Sequence, residues 1–480
     1  MKLKDLIGSL SGELSNTEIT SVTCDSRKVQ KGSLYVAIDG VNVDGHKFIG
    51  SAIENGAAAV VCERDLNFKN QIIVDNTRKW FSLICAAWFK NPAKSMKLVG
   101  ITGTNGKTST AIMIKSILES QGHKVGLVGT IQNMAGDEVI PTSSTTPDSY
   151  ELQSVFAKMR DAGCDYCVME VSSHALDQNR VYGIVYDAAV FTNLTQDHLD
   201  YHKTMENYLI AKKKLFSQCR TAIINKDDAY FEKLTEGLSV PIKTYSEKST
   251  DADYFATDID LKPDGIEYTI NSKNISDRLS LSTGGRFTVY NSMAAVAAAV
   301  ELGFDDKKAV DALSILSGVK GRAEVVPTNR DFTVIIDYAH TPDGLENILS
   351  TFKDCPKNRL IAVFGCGGDR DKTKRPKMGE IAAKIADYLI VTSDNPRSEE
   401  PNSIIDDILV GVQKHNTPYT VIENRIEAIK YAVLNAQKGD IIVLAGKGHE
   451  TYQILKDKTI HLDEREVVAE ALKELAERID

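Results

Sequence analysis

A phosphate-binding loop is the stretch of this sequence with the clearest chemistry. The run from Gly100 to Thr110 reads GITGTNGKTST and separates an apolar, strand-like segment from one with apolar residues at helical spacing. Its glycines let backbone N–H groups and a helix N-terminus face an anion, while Lys107 supplies a charge and Thr108 a metal-binding hydroxyl. The natural ligand is ATP or GTP. We expect it to contact Gly103, Thr104, Asn105, Gly106, Lys107, Thr108 and Ser109.

The spacing of this loop is a variant of the common one. Ile101 stands where the usual pattern has its first glycine. The tetrad from Asn225 to Asp228 offers an alternative, because Asn-Lys-x-Asp after a strand is how many GTPases read guanine. A GTPase switch would also need Asp-x-x-Gly between Thr108 and Asn225, and the sequence has none there. The pattern therefore favours another class of nucleotide protein.

Two further side chains are candidate metal ligands. Glu170 ends an apolar segment, and His198 lies in the polar run TNLTQDHLDYH. Beside a triphosphate, these groups and Thr108 suit Mg²⁺, which dehydrates reluctantly and takes oxygens from phosphates. The alternatives are a strand-end salt bridge for Glu170 and a helix-capping role for His198.

Composition narrows the class of protein. The chain has 480 residues, 42% of them hydrophobic and 26% charged, which predicts two to four domains of a globular protein. A net charge of −9 argues against nucleic-acid binding and favours small-molecule chemistry. No signal peptide or membrane-spanning run is indicated, so we expect a cytoplasmic protein. The eight cysteines fit reduced thiols, and Cys164 and Cys167 are interpreted as core residues.

The order of predicted elements indicates an α/β fold in three domains. Strands and helices mix over residues 1–90, which indicates a first α/β domain. Residues 91–325 alternate strands with helices around the phosphate loop, which predicts a doubly wound, mostly parallel sheet. Residues 245–285 predict its antiparallel extension. Residues 326–480 predict a C-terminal, Rossmann-like α/β domain.

Polar clusters follow four predicted strands of the last domain. Ligands bind at the carboxyl ends of strands in open α/β sheets, so this edge is a candidate site. The clusters are Asp337 to His340, Gly365 to Arg370, Asp394 to Arg397 and Gly446 to Glu450.

Taken together, these motifs resemble the Mur ligases, the ATP-dependent enzymes that build the peptide stem of the bacterial cell wall. The resemblance covers all three predicted domains in order. It rests on Thr102 to Thr108, Met169 to His174, Asn193 to His202, Phe287 to Asn291, Gly321 to Glu324 and Asp337 to Pro342.

Within that family, further motifs resemble the enzymes that add the third amino acid, a diamino acid. These motifs are Cys24 to Arg27, Ser144 to Pro147, Gly365 to Pro376 and Gly446 to Glu450. The resemblance implies that ATP phosphorylates the D-Glu γ-carboxylate of UDP-N-acetylmuramoyl-L-alanyl-D-glutamate. The amine then attacks the acyl phosphate. It also implies a role in peptidoglycan synthesis, and hence in cell shape and division.

The resemblance assigns nucleotide and metal roles by position. Asn291, Arg322 and Asp337 would hold adenine, phosphate and ribose, while Thr108, Glu170 and His198 would bind Mg²⁺. Lys212 aligns with a lysine that is carbamylated in resembling enzymes, which turns a cation into an anionic group beside the metal. The residues alone leave open a solvated lysine, and Lys213 or Lys214 as the matching position.

The same resemblance places the UDP-sugar dipeptide on the first two domains. Cys24, Ser26 and the segment around Asn42 would meet the uridine diphosphate end. Hydroxyl, amide and guanidinium groups would meet the sugar and peptide. These belong to Ser144, Thr145, Thr146, Ser172, Gln178 and Arg180.

The choice of amino acid is expected to depend on Arg397. meso-Diaminopimelate carries a second carboxylate that lysine lacks, and a guanidinium can bind it through two parallel hydrogen bonds. Arg397, in Asp394-Asn395-Pro396-Arg397, resembles the diaminopimelate-type motif, which lysine-type relatives lack. Arg370 would hold a carboxylate, and Glu450 after Gly446 would accept ammonium together with Asp394. The alternative is a solvated Arg397 paired with Glu399 or Glu400.

Three rival functions remain. The same reaction with L-lysine is the nearest. A folylpolyglutamate synthase is disfavoured by the Asp-Ser-Arg and Gly-Lys-Gly-His-Glu motifs, and a nucleotide-gated binding switch by the missing Asp-x-x-Gly. We expect a monomer that acts on small molecules and binds neither nucleic acid nor membrane.

Overall fold

The computed structural model describes residues 1–8, 12–40, 43–142, 144–262, 264–316, 318–353, 355 and 357–478. The chain forms two compact units. The first comprises Met1–Leu194, His198–Lys243 and Ala298–Gly303, and the second comprises Thr195–Asp197, Thr244–Ala297 and Phe304–Asp480.

The first unit contains two sheets and nine α-helices among its described residues. Its strands are β1 (Ser21–Thr23), β2 (Ser33–Val36), β3 (Ala59–Cys62), β4 (Gln71–Ile73), β5 (Lys97–Thr102), β6 (Val125–Val128), β7 (Asn133–Ala135), β8 (Glu138–Ile140), β9 (Tyr166–Glu170), β10 (Tyr186–Phe191) and β11 (Cys219–Asn225). Its helices are α1 (Leu3–Leu6), α2 (Ile49–Glu54), α3 (Thr77–Trp88), α4 (Lys107–Ser120), α5 (Ser149–Asp161), α6 (Ser173–Asp177), α7 (Leu199–His202), α8 (Met205–Lys213) and α9 (Phe231–Thr235).

The order of strands in the first unit brings together the three loops that follow β5, β9 and β10. A small parallel sheet has the order β1-β2-β3-β4, and the larger sheet runs β11-β10-β5-β9-β6-β7-β8. Pairing is parallel from β11 to β6 and antiparallel at β7 and β8. Strands β9 and β10 are apolar and almost wholly buried, as expected for a parallel sheet covered on both faces. Because β10, β5 and β9 are neighbours, their carboxyl ends lie side by side.

Strand β12 (Ile242–Ser246) carries the chain into the second unit. The other strands of that unit are β13 (Tyr254–Lys262), β14 (Gly265–Ser272), β15 (Ser276–Leu281), β16 (Glu324–Val326), β17 (Thr333–Asp337), β18 (Leu360–Phe364), β19 (Tyr388–Val391), β20 (Tyr419–Val421), β21 (Ile441–Ala445), β22 (Tyr452–Ile454) and β23 (Thr459–His461). Its helices are α10 (Arg286–Glu301), which ends in the first unit, α11 (Asp306–Ser314), α12 (Pro342–Lys353), α13 (Lys374–Ile385), α14 (Pro401–Val412), α15 (Arg425–Leu434) and α16 (Glu464–Glu477).

A six-stranded sheet organises the second unit. Its order is β16-β17-β21-β18-β19-β20, parallel except for β16 at one edge. Apolar clusters fill both faces, one including Leu349, Met378 and Ile408, the other Ile429 and Val468. The polar clusters that follow β17, β21, β18 and β19 therefore lie along one edge of the sheet.

The predicted α/β class is confirmed, including the antiparallel strands β13, β14 and β15. The division into three domains stays a prediction. Helix α3 begins at Thr77 because the Asn76 side chain accepts the N–H of Lys79 and caps the helix. Within the described ranges, no helix combines the length and apolar character needed to cross a lipid bilayer.

Candidate active site

The phosphate loop joins β5 to α4, as the sequence predicts. Gly106 precedes the helix with φ 84°, and Gly103 has φ 152°. A Cβ atom at Gly103 would lie 1.8 Å from the Thr192 hydroxyl, so only glycine fits. The glycines thus give the loop both its curvature and its close approach to β10.

Two residues after β10 brace this loop. The Thr192 hydroxyl donates to the Asn105 carbonyl oxygen at 2.6 Å, and Asn193 Oδ1 accepts the Asn105 N–H at 2.9 Å. The Asn193 carbonyl oxygen also accepts the Thr104 N–H at 2.9 Å. Asn193 is a supporting residue that the sequence-based site omitted, although it lies in one of the recognised motifs.

Two lysines converge on one carbonyl group of the loop. Lys107 Nζ and Lys212 Nζ each donate a 2.8 Å hydrogen bond to the Gly103 carbonyl oxygen. Lys212 is only 1% exposed, and its Nζ lies 4.4 Å from the ring centroid of Tyr208. Lys213 Nζ instead donates to backbone carbonyls of Lys233 and Glu236.

The third lysine of that run also points away from the loop. Lys214 Nζ pairs with the Asp177 carboxylate at 2.8 Å. Of the three lysines whose register the sequence left open, the structure therefore places Lys212 at the phosphate loop.

Glu170 lies beside the loop, 1% exposed. Its Oε2 accepts the Thr108 hydroxyl at 3.0 Å and the Thr130 hydroxyl at 3.0 Å, while its Oε1 accepts the Thr130 N–H at 2.8 Å. A buried carboxylate with an adjacent hydroxyl is a hard-oxygen set that suits Mg²⁺. Thr130 was missed by sequence reasoning. Its only signal was its place just after strand β6.

His198 belongs to an aromatic cluster that shares Tyr208 with Lys212. Its ring centroid lies 4.9 Å from that of His174 and 6.2 Å from that of Tyr208, and its backbone is left-handed. Burial and the nearby His198 and His202 lower the pKa of His174 to about 4. Within the described ranges, no three His, Cys, Asp or Glu side chains group as a metal site.

The tetrad from Asn225 to Asp228 supports the loop after β10. Asn225 Nδ2 donates to the Thr192 carbonyl oxygen at 2.9 Å, and the Asp228 carboxylate accepts the N–H groups of Leu194 and Tyr230 at 2.8 and 2.9 Å. These contacts give the tetrad a structural role without a guanine base.

Two free cysteines that lie close in sequence are part of the hydrophobic core. Cys164 and Cys167 are both buried, and burial raises the pKa of each thiol. Neither is a reactive thiolate.

A cleft of about 1010 Å³ opens in the first unit. Five of the predicted substrate residues line it: Cys24, Ser26, Ser144, Gln178 and Arg180. The Arg180 guanidinium is held by Gln178 Oε1 at 2.8 and 3.0 Å. Burial raises the pKa of the Cys24 thiol to about 11, so this thiol is neutral in the cleft. Asn42 lies outside the described residues, and its neighbour Val43 lines the cleft.

Three predicted substrate residues lie at the end of β9 and are absent from the cleft wall. The Thr146 hydroxyl donates to the Glu170 carbonyl oxygen at 2.9 Å and accepts the Ser172 N–H at 3.0 Å. The Thr145 hydroxyl lies 3.0 Å from that of Thr130. Arg180 donates to the Thr146 carbonyl oxygen at 3.0 Å. This segment therefore connects the cleft to Glu170.

Sequence reasoning also missed several cleft residues. Arg78, in the first turn of α3, and Asn55, after α2, line the cleft, as does Asp148, which caps α5. Nothing in their local sequence distinguishes them from ordinary surface and capping residues.

In the second unit, Asp337 ends β17 and Arg322 lies close to it. Asp337 accepts the N–H groups of Ala323 and Ala339 at 2.7 and 2.8 Å, and burial raises its pKa despite the Arg322 charge. The Arg322 guanidinium lies 4.9 Å from the Tyr338 ring centroid. Asn291 is buried in α10.

The predicted amino-acid site gathers at the ends of β18, β19 and β21. Glu450 Oε2 accepts Lys447 Nζ at 2.7 Å and Asn395 Nδ2 at 3.0 Å. Lys447 is fully buried and places an ammonium group at this site. Sequence reasoning missed it, although it lies within the recognised motif from Gly446 to Glu450. A Cβ atom on Gly446 would lie 2.6 Å from Asp394 Oδ2.

Arg397 and Arg370 both lie against Gly367. A Cβ atom there would be 2.9 Å from Arg397 Nη1 and 3.8 Å from Arg370 Cγ, and one on the next glycine would meet the Pro396 carbonyl oxygen. Arg397 Nη1 donates to the Gly368 carbonyl oxygen at 2.9 Å.

The carboxylates considered as partners for Arg397 bind elsewhere. Glu399 pairs with Arg375 and Lys372, and Glu400 pairs with Lys456. The solvated-loop alternative for Arg397 therefore lacks the ion pair on which it depended.

Sequence profiles of one family match most of the chain. The Mur ligase middle domain matches residues 101–299, the Mur ligase glutamate ligase domain matches residues 321–448, and the catalytic domain of the Mur ligase family matches residues 18–87.

Curated relatives are similar over the whole length. A Clostridium acetobutylicum protein named UDP-N-acetylmuramoyl-L-alanyl-D-glutamate–2,6-diaminopimelate ligase 1 is 49% identical, covering 99% of this chain and 100% of the relative. A Caldanaerobacter subterraneus protein with that name, without the number, is 49% identical over 99% of each chain. A solved structure of a UDP-N-acetylmuramoyl-L-alanyl-D-glutamate–2,6-diaminopimelate ligase has a TM-score of 0.74 and 33% identity, covering 99% of each chain.

Proposed function

The chain belongs to the Mur ligase family, and we propose that it adds meso-diaminopimelate to the D-Glu γ-carboxylate of UDP-N-acetylmuramoyl-L-alanyl-D-glutamate. It is an ATP-dependent ligase, and the products are the UDP-sugar tripeptide, ADP and phosphate. The reaction belongs to peptidoglycan synthesis, in accordance with the names of the relatives.

The segment joining the cleft to Glu170 carries this proposal. Ser144 and Arg180 line the cleft, and Thr146, between them in space, bonds to the backbone of Glu170. A substrate that extends along the cleft toward this segment would bring its terminal carboxylate to the phosphate loop. That placement is what transfer of a phosphoryl group to a carboxylate requires.

The residues of the loop would bind and orient ATP. Backbone N–H groups from Gly106 to Ser109, at the N-terminus of α4, would hold its phosphates, with Lys107 adding charge. Thr108, Glu170 and His198 would hold Mg²⁺, which supplies charge neutralisation for phosphoryl transfer. A γ-carboxylate oxygen attacks the γ-phosphorus and ADP leaves. The amine then attacks the acyl carbon, loses a proton, and phosphate departs.

Lys212 is proposed to act as a carbamate beside the metal. The argument rests on its burial at the Gly103 carbonyl, where Lys213 and Lys214 do not reach. A neutral amine adds carbon dioxide and loses a proton, which replaces the buried cation by an anion. That change would add a further oxygen ligand next to Thr108 and Glu170.

The second unit is proposed to bind the remaining groups. Asn291, Arg322 and Asp337 would hold adenine, phosphate and ribose of the nucleotide. Arg397 and Arg370 would bind the carboxylates of the diamino acid, whereas Glu450 and Asp394 would accept its ammonium groups. Gly367 lies close to the Arg397 guanidinium and to the Cγ atom of Arg370, and two arginines on adjacent loops favour an amino acid with two carboxylates over L-lysine.

The cellular setting is also a proposal. We expect the protein to act in the cytoplasm as a monomer on small-molecule substrates.

Omission of single substrates tests the reaction. Phosphate release from ATP and Mg²⁺ should require the UDP-sugar dipeptide, and the product mass should increase by that of diaminopimelate less one water. With hydroxylamine in place of the diamino acid, the dipeptide hydroxamate should form by capture of the acyl phosphate. Nucleotide hydrolysis that is indifferent to both substrates would instead support a binding switch.

A further inference from the structure

A buried arginine joins the two loops that carry Arg370 and Arg397. Arg375, on α13, is fully buried, and its guanidinium forms a two-pronged pair with Glu399 at 2.8 and 3.0 Å. Its Nη1 also bonds to the Asp407 carboxylate at 2.9 Å. A planar guanidinium held by carboxylates at both sides has a fixed orientation.

Glu399 links the loop that carries Arg397 to the loop that carries Arg370. It follows Arg397 in sequence, yet its Oε1 accepts the N–H of Asp369 at 2.6 Å. The Ser398 hydroxyl donates to the Asp369 carboxylate at 2.6 Å as well. The hydrogen bond from Arg375 lowers the pKa of Glu399 to about 2, so this carboxylate is charged at any physiological pH.

The backbone of both loops, at Arg397 and just before Arg370, is strained and needs such support. Arg397 and Asp369, the residue before Arg370, each have φ 54°, in the left-handed region that side-chain-bearing residues seldom adopt. Two hydrogen bonds connect the loops directly. The Gly368 N–H donates to the Asn395 carbonyl oxygen at 2.9 Å, and Arg397 Nη1 donates to the Gly368 carbonyl oxygen. The relative position of the two loops thus determines how far apart the guanidinium groups lie.

We propose that the Arg375–Glu399 pair positions Arg370 and Arg397 for an amino acid with two carboxylates. This proposal rests on the proposed ligase function and adds a determinant of its specificity. Arg375 is a positioning residue, because its guanidinium is buried and bonded to Glu399 and Asp407. It therefore acts on the amino acid only through the loops that carry Arg370 and Arg397. Loosening the pair should impair diaminopimelate use while ATP use is retained.

The main experiment compares Arg375→Lys with the wild type. Lysine keeps the charge but loses the two-pronged geometry. We expect the KM for meso-diaminopimelate to rise at least about tenfold and the KM for ATP to change less than about twofold, as for loss of an orienting contact. The preference for diaminopimelate over L-lysine should fall by a similar factor.

Glu399→Gln provides a second variant that preserves shape. The amide oxygen can still accept the Asp369 N–H, so folding should be retained while the charge pairing with Arg375 is lost. The same shift in diaminopimelate KM is expected. If Arg375→Lys does not fold, this variant decides the question.

Arg359→Lys is the matched control in the same unit. Arg359 pairs with the buried Asp440 at the amino ends of β18 and β21, the opposite edge of the sheet. It should lower thermal stability without altering the ratio of diaminopimelate to lysine use.

Two outcomes would overturn the proposal in distinguishable ways. A wild type that makes no diaminopimelate product refutes the proposed function and the positioning role together. An active wild type whose folded Arg375→Lys and Glu399→Gln variants keep the amino-acid preference, or lose ATP and diaminopimelate affinity in parallel, refutes the positioning role alone.

Discussion

The hydroxyl of Thr108 donates a 3.0 Å hydrogen bond to the carboxylate of Glu170, which lies 62 positions later in the chain. The contact exists because β5 and β9 are parallel neighbours, so the start of α4 faces the end of β9. Thr130 completes the arrangement with two hydrogen bonds to the same carboxylate. A buried anion is thus held directly at a phosphate loop, where it can share a cation with a nucleotide.

Glu170→Gln should remove this anion and keep the side-chain shape. We expect kcat to fall at least about 100-fold, because metal-assisted charge neutralisation is lost at the reacting phosphate. Phosphate release measured across a Mg²⁺ titration would reveal it, with a higher Mg²⁺ requirement. Glu119→Gln, on α4 but paired only with Lys115 in the described structure, should behave as the wild type. Activity within about threefold of wild type for Glu170→Gln would contradict the metal assignment.

Substitution of the lysine run should single out Lys212. Lys212→Ala should be nearly inactive, whereas Lys213→Ala and Lys214→Ala should retain most activity, because those side chains bind elsewhere. After incubation with ¹³C-bicarbonate, NMR should detect a carbamate in the wild type and not in Lys212→Ala. Equal loss of activity in all three variants, or no labelled carbamate, would speak against the proposal.

Arg397→Ala should damage diaminopimelate use selectively. Removing a guanidinium that binds a buried carboxylate should lower kcat/KM for diaminopimelate at least about 100-fold, while the KM for ATP stays within about twofold. Initial rates with each substrate varied in turn provide the measurement. Arg330→Ala, at an exposed arginine of the same unit, is the control. A parallel loss for ATP and diaminopimelate would show that Arg397 is structural.

His449 should make stability depend on pH. Burial, followed by the charges of Arg322 and Arg465, lowers its pKa from 6.5 to about 4. Between these values the unfolded chain binds a proton that the folded chain does not, so acidification from pH 6.5 to 4 lowers the free energy of unfolding. Above pH 6.5 the contribution is complete.

His449→Asn should therefore lack this component. Urea unfolding of both proteins at several pH values is expected to show the wild type losing stability relative to the variant between pH 6.5 and 4. A stability difference that stays constant over that window would contradict the assignment of the shift to His449.

Local patterns predicted the strands and the phosphate loop well. The strand-like segment expected before the phosphate loop forms as Lys97–Thr102, and the strand expected before the Asp337 cluster forms as Thr333–Asp337. Apolar runs next to turn residues determine both strands locally. That Arg370 and Arg397 lie at the same edge of the sheet could be anticipated, because both follow parallel strands. Their common proximity to Gly367 depends on side-chain packing.

Supporting residues were harder to predict. Thr130, Asn193 and Arg375 act through hydrogen bonds or ion pairs to residues distant in sequence. Short polar side chains such as those of Thr130 and Asn193 occur in any turn, so their types alone did not single them out. The register of Lys212 could not be derived from three consecutive lysines, because only the packing of α8 distinguishes the buried one.

A competition between the two diamino acids tests the central claim most directly. The protein would be incubated with ATP, Mg²⁺ and UDP-N-acetylmuramoyl-L-alanyl-D-glutamate, with meso-diaminopimelate and L-lysine at equal concentration, and the products resolved by mass spectrometry. We predict that the diaminopimelate-containing tripeptide exceeds the lysine product by at least about 100-fold. A lysine product in excess, or ATP hydrolysis without any tripeptide, would contradict it.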